Sequence, residues 1–300
     1  MRKILVTGGT NFVSRFTAEY FAALGDEVYV LNRGNRPQSQ GVVHLKGDRN
    51  ALGNLLKEHR FDAVLDITAY TGGDVRNLVN GLGGFGEYIL VSSSAVYPES
   101  TEKPFREESP IGYNSVWGGY GAGKIKAEEE LVRRVPNAYI IRPPYIYGPM
   151  QNLYREAFAF DCAEAERAFV LPEKEGMKMQ FFHVEDLCRF MNLLLEKKPS
   201  TRVYNVGNRE CVTVREWVKR CYEAAGKVPA FTKAPVGHGI RSYFCFYDYE
   251  YSLDVSRMSA LMPRTKPLSE GLKEEYEWYS VHRDEMVMKP YIEYIDKLMK

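Results

Sequence analysis

The chain has 300 residues, a length that suits one large domain or two modest ones and buries a core without disulfides or metals. Hydrophobic residues make up 45% and charged residues 26%, as in ordinary globular proteins, and the formal net charge is +1. This balance lacks the basic excess of a dedicated nucleic-acid binder, so we expect no nucleic-acid partner.

The cysteines and the apolar runs exclude further classes of protein. The five cysteines are scattered and none is spaced as C-x-x-C, so we expect neither a disulfide framework nor a metal site. Met1, Arg2 and Lys3 lead directly into a short strand rather than into a signal peptide. No apolar run approaches the roughly 18 residues of a membrane span. We therefore expect a cytoplasmic protein without membrane contact.

Strands and helices alternate along the first half of the chain. The apolar pattern predicts strands over residues 4–6, 27–31, 42–45, 63–67, 88–91 and 138–141, and helices over 12–24, 50–59 and 123–135. The strands are almost continuously apolar, as burial on both faces of a parallel sheet requires. Alternation with right-handed crossovers predicts an α/β fold with a doubly wound parallel sheet of the Rossmann type.

The second half loses this alternation after Pro143 and Pro144. The pattern there predicts a helix over 184–196, a strand over 203–206, a helical region from 213 and an amphipathic segment over 268–279. We expect a dinucleotide-binding domain over residues 1–170, to which 183–206 return. A smaller, partly interleaved α/β lobe over 171–300 is expected to bind the substrate.

A glycine-rich turn lies between the first strand and the first helix. Free backbone N–H groups and the helix dipole favour a pyrophosphate at such a place. Glycine-rich turns are also common as purely structural features, but this one opens an alternating α/β chain. We therefore predict that the turn binds a dinucleotide, with contacts from Gly8, Thr10, Asn11, Phe12 and Val13.

Asn32 and Arg33 follow the second strand, where folds that prefer NAD place an acidic residue against the adenosine 2′-OH. A neutral residue beside a cation tolerates the 2′-phosphate of NADP. We predict NAD(P) as the cofactor and favour NADP, with a solvated loop cation as the alternative role of Arg33. Asp48, which precedes Arg49, is either an acceptor for the adenine amine or the cap of the next helix.

Tyr120 and Lys124 are four residues apart, so they share one face of a predicted helix. A phenol is a poor base at its ordinary pKa, and a neighbouring ammonium would favour its ionised form. The phenol would then exchange a proton with a substrate alcohol while a hydride moves to or from the cofactor. Ser92, Ser93 and Ser94 end the fifth strand at the edge of the sheet where ligands bind, although such serines also form ordinary turns.

Together these motifs resemble the extended short-chain dehydrogenase/reductase family, of the NAD-dependent epimerase/dehydratase type. The resemblance covers almost the whole chain. It rests on T-G-G-T-x-F-V at the N-terminus, G-D-R at Gly47, S-S-S-A-V-Y at Ser92, Y-x-x-x-K at Tyr120, R-P-P-Y-I-Y-G-P at Arg142, H-V-E-D-L at His183 and Y-N-V-G-N at Tyr204.

The resemblance implies a role for each matching residue. Tyr120 would be the general base or acid, Lys124 its electrostatic partner and a ribose ligand, and Ser93 the catalytic serine, with Ser94 a close second. The remaining cofactor contacts implied are Arg49, Ala69, Val91, Ser92, Pro143 and Tyr145.

The chain also departs from the family pattern. Asn11 and Ser14 stand where the fingerprint G-x-x-G-x-x-G has its second and third glycines, which puts cofactor affinity in doubt. Similar turns occur in a subgroup related to chloroplast RNA-binding proteins. Family dehydratases carry an Asp-Glu pair where this chain has Ser94 and Ala95, so a 4,6-dehydratase is not expected.

Two functions follow from the resemblance. The first is an NAD(P)-dependent epimerase or oxidoreductase that acts on a hydroxyl or carbonyl group of a nucleotide sugar. The alternative is a non-catalytic NAD(P)-binding sensor or RNA-associated protein on the same fold. Arg241 and Tyr243 are candidate phosphate or sugar contacts, although aromatic residues in such a stretch usually belong to a core. A homodimer through the helix around 120–135 is compatible with the family.

Overall fold

The computed structural model describes residues 1–234 and 237–299. The strands are β1 (Lys3–Thr7), β2 (Glu27–Asn32), β3 (Val42–Lys46), β4 (Phe61–Asp66), β5 (Phe85–Val91), β6 (Tyr139–Arg142), β7 (Tyr145–Tyr147), β8 (Phe169–Leu171), β9 (Lys178–His183), β10 (Val203–Asn205), β11 (Cys211–Thr213) and β12 (Phe231–Lys233). The helices are α1 (Phe12–Ala23), α2 (Gly72–Gly81), α3 (Gly118–Arg134), α4 (Glu156–Glu164), α5 (Val184–Lys197), α6 (Val214–Ala224), α7 (Ser256–Leu261), α8 (Leu268–Val281) and α9 (Tyr291–Leu298).

The main sheet has the strand order β10-β6-β5-β4-β1-β2-β3, and its neighbouring strands are all parallel. Alternate residues of β1 point to opposite faces: Ile4 and Val6 pack in the core that contains α1 and α5, whereas Leu5 packs with α2 and α3. Helices therefore cover both faces, and the doubly wound α/β fold is confirmed. The order reverses between β1 and β4, the point where ligands bind in such sheets.

A second core lies beside the main sheet. It contains α4, α6 and α8, together with a small sheet of order β11-β9-β7 and the pair β12-β8. Helix α5 and strand β10 return to the main sheet, where β10 pairs with β6. Strand β7 and helix α4 precede residue 170 but pack in this second core, so residues from both expected domains contribute to it. The expected domain boundary at residue 170 stays a prediction.

One predicted helix is absent from the structure, and a helix that covers the main sheet was not predicted. Residues 50–59 form successive turns rather than a helix, because Leu55, Lys57 and His59 each bond to the carbonyl three residues earlier and Gly53 has a φ of +52°. Helix α2 was not predicted, since its three glycines weaken the helical pattern. The capping box between Thr71 and Asp74 marks its start and is the signal that would have found it.

Within residues 1–234 and 237–299, no helix is both long and apolar enough to cross a bilayer.

Candidate active site

The turn after β1 has a backbone that only glycine adopts easily. Gly8 has a φ of +94° and Gly9 a φ of +88°. A Cβ at Gly8 would lie 2.7 Å from Ser14 Oγ, and one at Gly9 would lie 2.5 Å from Val30 Cγ1. Asn11 precedes α1 without a side-chain capping bond, so its side chain does not occupy the first backbone N–H groups of α1. The turn therefore forms a cradle suited to an anion.

Asn32 supports this turn from the end of β2. Its side-chain amide donates hydrogen bonds to the carbonyl oxygen of Gly8 (2.7 Å) and to Gln38 Oε1 (2.8 Å). The donors of this amide are thus already used within the protein. Arg33 beside it is exposed and forms no ion pair with any residue that the structure describes. Of these two side chains, Arg33 is therefore the one that is exposed and able to contact a ligand.

Asp48 and Arg49 have different surroundings. Asp48 is exposed and accepts a bond from the backbone N–H of Asn50 (2.8 Å), and because no helix follows, the predicted cap role is wrong. Arg49 Nη2 donates to Asp66 Oδ1 (2.7 Å), a fully buried carboxylate that also accepts from the Tyr88 hydroxyl (2.6 Å). Arg49 Nε and Nη1 are buried without a partner. They are donors that a bound group would satisfy.

A cavity of about 530 Å³ opens at the carboxyl edge of the main sheet. Its lining includes ten of the predicted site residues: Asn11, Phe12, Val13, Val91, Ser92, Ser93, Tyr120, Lys124, Pro143 and Tyr145. The other predicted contacts lie outside this lining: Gly8, Thr10, Asn32, Arg33, Asp48, Arg49 and Ala69. The fold thus brings the predicted catalytic residues and the beginning of α1 to one cavity.

Two glycines let α3 approach the strand ends. A Cβ at Gly121 would lie 2.6 Å from the carbonyl oxygen of Ala95, and one at Gly123 would clash with the carbonyl oxygen of Tyr70. The helix begins at Gly118, five residues before its predicted start, so Tyr120 and Lys124 both lie within it. This close packing places both side chains at the cavity.

The ammonium of Lys124 is held by backbone. Nζ donates to the carbonyl oxygens of Ala69 and Val91, each at 2.8 Å, so these two carbonyls contact Lys124, and their predicted contact with the cofactor stays a prediction. Burial lowers the pKa of Lys124 from 10.5 to about 8. The ammonium also lies 5.0 Å from the ring centroid of Tyr70 and 6.0 Å from that of Tyr120.

The phenol of Tyr120 borders the cavity, with 45% of the residue's surface exposed. Partial burial raises the pKa of Tyr120, and a hydrogen bond with the Ser93 side chain opposes this rise. The sequence argument expects Lys124 to lower this pKa. Instead, the Lys124 ammonium binds backbone carbonyls, and the Ser93 side chain is the group that lowers the pKa of the phenol.

The three serines have distinct partners. The Ser92 hydroxyl donates to the buried carboxylate of Glu128, at 2.5 Å. Ser93 accepts from the backbone N–H of Ala95 (3.1 Å) and reaches Tyr120, whereas Ser94 lies against the hydroxyl of Tyr251. This arrangement favours Ser93 over Ser94 as the serine beside the phenol.

Several cavity residues were missed by sequence reasoning, among them Tyr70, Trp117, Arg155 and Tyr247. Among the described residues that line the cavity, Lys124, Arg155 and Arg241 are cationic and none is acidic. Arg241 was a sequence candidate, whereas Tyr243 is buried in the second core. No local pattern marks Arg155, because the fold alone places it over the ring of Tyr145.

Comparison with known proteins gives a family and a set of relatives. The model of the NAD dependent epimerase/dehydratase family matches residues 4–207. The chain is 29% identical to the chloroplast stem-loop binding protein of 41 kDa b from Arabidopsis thaliana, over 92% of this chain and 78% of that protein. It is 26% identical to a dTDP-4-dehydro-6-deoxy-D-allose reductase from a Streptomyces species, over 94% of this chain and 97% of that enzyme.

Solved structures show the same fold. UDP-glucose 4-epimerase from Thermotoga maritima, solved with UDP-glucose, superposes with a TM-score of 0.77 at 20% identity, covering 93% of this chain and 99% of that one. The dTDP-glucose 4,6-dehydratase from Bacillus anthracis, solved with NAD, gives 0.75 at 19% identity, covering 95% and 99%.

Proposed function

The chain belongs to the NAD-dependent epimerase/dehydratase family, and on that premise we propose that it is an NAD(P)-dependent epimerase or oxidoreductase acting on a hydroxyl or carbonyl group of a nucleotide sugar. The observation that carries the proposal is the meeting of Ser93, Tyr120 and Lys124 at one cavity, next to the beginning of α1. Ser93 follows β5, whereas Tyr120 and Lys124 lie on α3, and the fold brings these two segments together at the place where sheets of this kind bind ligands.

The residues present fit a dinucleotide. The cradle at Gly8 and Gly9 has no room for a Cβ, and the uncapped start of α1 supplies N–H groups for a pyrophosphate. Two buried nitrogen atoms of Arg49, Nε and Nη1, have no partner, as expected of a residue that contacts a ligand. Arg33 supports NADP over NAD, because an exposed cation stands where an acidic residue would repel a 2′-phosphate.

The proposed chemistry is hydride transfer with a coupled proton transfer. A bound nicotinamide dinucleotide would supply or accept the hydride. Tyr120 would transfer the proton to or from the substrate oxygen, and Ser93 would hydrogen-bond that oxygen. Lys124 would bind the ribose while its ammonium stays anchored on the carbonyls of Ala69 and Val91. Ser94 and Ala95 supply no acid–base pair for water elimination, which argues against a 4,6-dehydratase.

The substrate proposal is supported by the cavity and by the relatives. The exposed Arg241 lines the cavity and suits the phosphates of a nucleotide sugar, whereas the Arg155 guanidinium is already paired with the buried carboxylate of Glu156. Relatives named as dTDP-sugar reductases match nearly the full chain. These names support a nucleotide sugar without choosing between epimerisation and reduction.

The proposal is tested first by ligand binding. Thermal unfolding would be followed with NAD, NADP and a panel of UDP-, GDP- and dTDP-sugars, since a ligand that binds only the folded state raises the midpoint. We expect stabilisation by NADP, and a further increase with one sugar class. NAD stabilising far more than NADP would refute the role given to Arg33.

The catalytic role is tested with a matched pair of variants. Tyr120→Phe should abolish turnover of the stabilising sugar, whereas Tyr113→Phe removes a hydroxyl from a tyrosine that is 66% exposed and outside the cavity lining. Activity that survives in Tyr120→Phe at the level of Tyr113→Phe would refute the proton-transfer role.

A second candidate function rests on the stem-loop binding protein among the relatives. Under this alternative the chain is a dinucleotide-binding protein that associates with RNA. Affinity for a stem-loop RNA would then fall steeply as the salt concentration rises. Specific binding of that kind, together with unchanged behaviour of Tyr120→Phe, would favour this alternative over the enzyme.

A further inference from the structure

Glu128 lies on α3 one helical turn after Lys124, and its side chain points into the protein. The exposed fraction of Glu128 is 2%. Its Oε1 accepts bonds from the Ser92 hydroxyl (2.5 Å) and from Arg142 Nε (3.0 Å), and its Oε2 accepts from Arg142 Nη2 (2.6 Å). A buried carboxylate with three such bonds is held in one position.

The two partners of Glu128 lie at the ends of neighbouring strands. Ser92 stands between Val91, whose carbonyl accepts the Lys124 ammonium, and Ser93. Arg142 ends β6 immediately before Pro143, whose carbonyl accepts the backbone N–H of Ser94 (2.9 Å). Each segment that Glu128 touches therefore carries a residue of the proposed active site.

Arg142 is fixed on its other side as well. Its Nη1 donates to the Tyr97 hydroxyl (2.8 Å), and that hydroxyl donates to Asn205 Oδ1 (2.8 Å) at the end of β10. The guanidinium is thus anchored to the main sheet independently of α3. Glu128 is the connection between this anchor and the helix that carries Tyr120.

We propose that Glu128 is a positioning residue, whose carboxylate joins the helix carrying Tyr120 and Lys124 to the strand ends carrying Ser93 and Pro143. It touches neither substrate nor cofactor and acts through Lys124 and Ser92. The catalytic role of those side chains rests on the proposed function, whereas the mechanical connection rests on the bonds themselves.

The charge of Glu128 also bears on Lys124. The groups around the ammonium are three carboxylates, one guanidinium and two phenol rings: Asp66, Asp74, Glu128, Arg49, Tyr70 and Tyr120. The negative charge of Glu128 raises the pKa of Lys124 against the larger effect of burial. Removing it should lower that pKa further, an effect that loss of packing alone would not produce.

The test compares Glu128→Gln with Glu129→Gln, which removes the same charge from the same helix at an exposed position paired with Lys126. The pKa of Lys124 would be measured by NMR on protein with isotope-labelled lysine, its signal assigned with Lys124→Arg. The dissociation constant for NADP would be measured by calorimetry. In Glu128→Gln we expect a lower Lys124 pKa. We also expect an NADP dissociation constant about tenfold higher, because weaker bonds to Ser92 and Arg142 no longer fix α3 against the strand ends.

Identical values in the Glu128 and Glu129 variants would overturn the inference. If Glu128→Gln does not fold because Arg142 is left unpaired, Glu128→Gln with Arg142→Gln removes both charges together. That double variant should still bind NADP more weakly, and wild-type affinity in it would also overturn the inference. If the wild-type protein binds neither NAD nor NADP, the proposed function fails, while the Lys124 titration still tests Glu128.

Discussion

Replacing Gly8 with alanine tests whether the turn after β1 is as constrained as its geometry indicates. The φ of +94° at Gly8 costs an L residue about 1–2 kcal/mol. The added Cβ would also lie 2.7 Å from Ser14 Oγ and 2.9 Å from Thr68 Cγ2, and such overpacking costs about 1–3 kcal/mol. The free energy of unfolding should therefore fall by about 2–5 kcal/mol.

Gly25 offers a matched control for this substitution. Its φ is +85°, but a Cβ there would meet nothing within 4 Å. Gly25→Ala should therefore cost only the backbone contribution of about 1–2 kcal/mol. Both variants would be compared with wild type by urea unfolding, with the slope checked for constancy. Equal losses in the two variants would refute the steric argument at Gly8 and, with it, the view that Ser14 closes the space beside the turn.

Three further predictions concern charge and assembly. Asp66→Asn should lower the free energy of unfolding, measured in urea, by about 3–5 kcal/mol, because it leaves the charge of Arg49 without its buried partner. Asp48→Asn, at an exposed position, is the control and should change that free energy by less than about 0.5 kcal/mol. Burial lowers the pKa of Lys124 from 10.5 to about 8, so between about pH 8 and pH 10.5 the folded state binds fewer protons than the unfolded state. The free energy of unfolding should therefore rise with pH over this range. Lys124→Met should remove this rise when unfolding is measured as a function of pH. If α3 forms the expected dimer face, Val132→Glu at a 54% exposed position should yield monomers in light scattering. Val228→Glu, at a 92% exposed position outside α3, is the control and should not change the mass of the particle. The same mass for both variants would count against α3 as the dimer face.

The main sheet could be predicted from the sequence because its strands are buried on both faces and read as short apolar runs. Positions such as Ile4, Leu5 and Val6 are apolar whichever helix layer they contact. The helix predicted over 50–59 failed because Leu52 and Leu56 are buried at a helix-like spacing although the backbone makes separate turns. Spacing identifies which side chains are buried but not the hydrogen bonds between them.

In the candidate site too, local features could be predicted from the sequence and contacts between distant segments could not. Tyr120 and Lys124 could be predicted because their spacing on one helix is a local property. The carboxylate of Glu128 and the guanidinium of Arg155 could not, because each acquires its role from segments far away in the chain. Arg142 was part of a recognised motif, yet its partner became evident only when α3 was packed against β6.

The altered glycine fingerprint is better judged by backbone angles than by the number of glycines. The turn keeps glycine at 8 and 9, where φ is strongly positive, whereas Asn11 has a φ of −146° that any residue adopts. Ser14 satisfies its hydroxyl by donating to the carbonyl oxygen of Asn11 (2.9 Å), so its burial leaves no polar group unpaired. The strain falls instead on Phe12, whose φ is +30° at the edge of the cavity. Asn11 and Ser14 therefore leave the strongly positive φ values of the turn at glycines, and the conformational cost of the turn lies at Phe12, which lines the cavity.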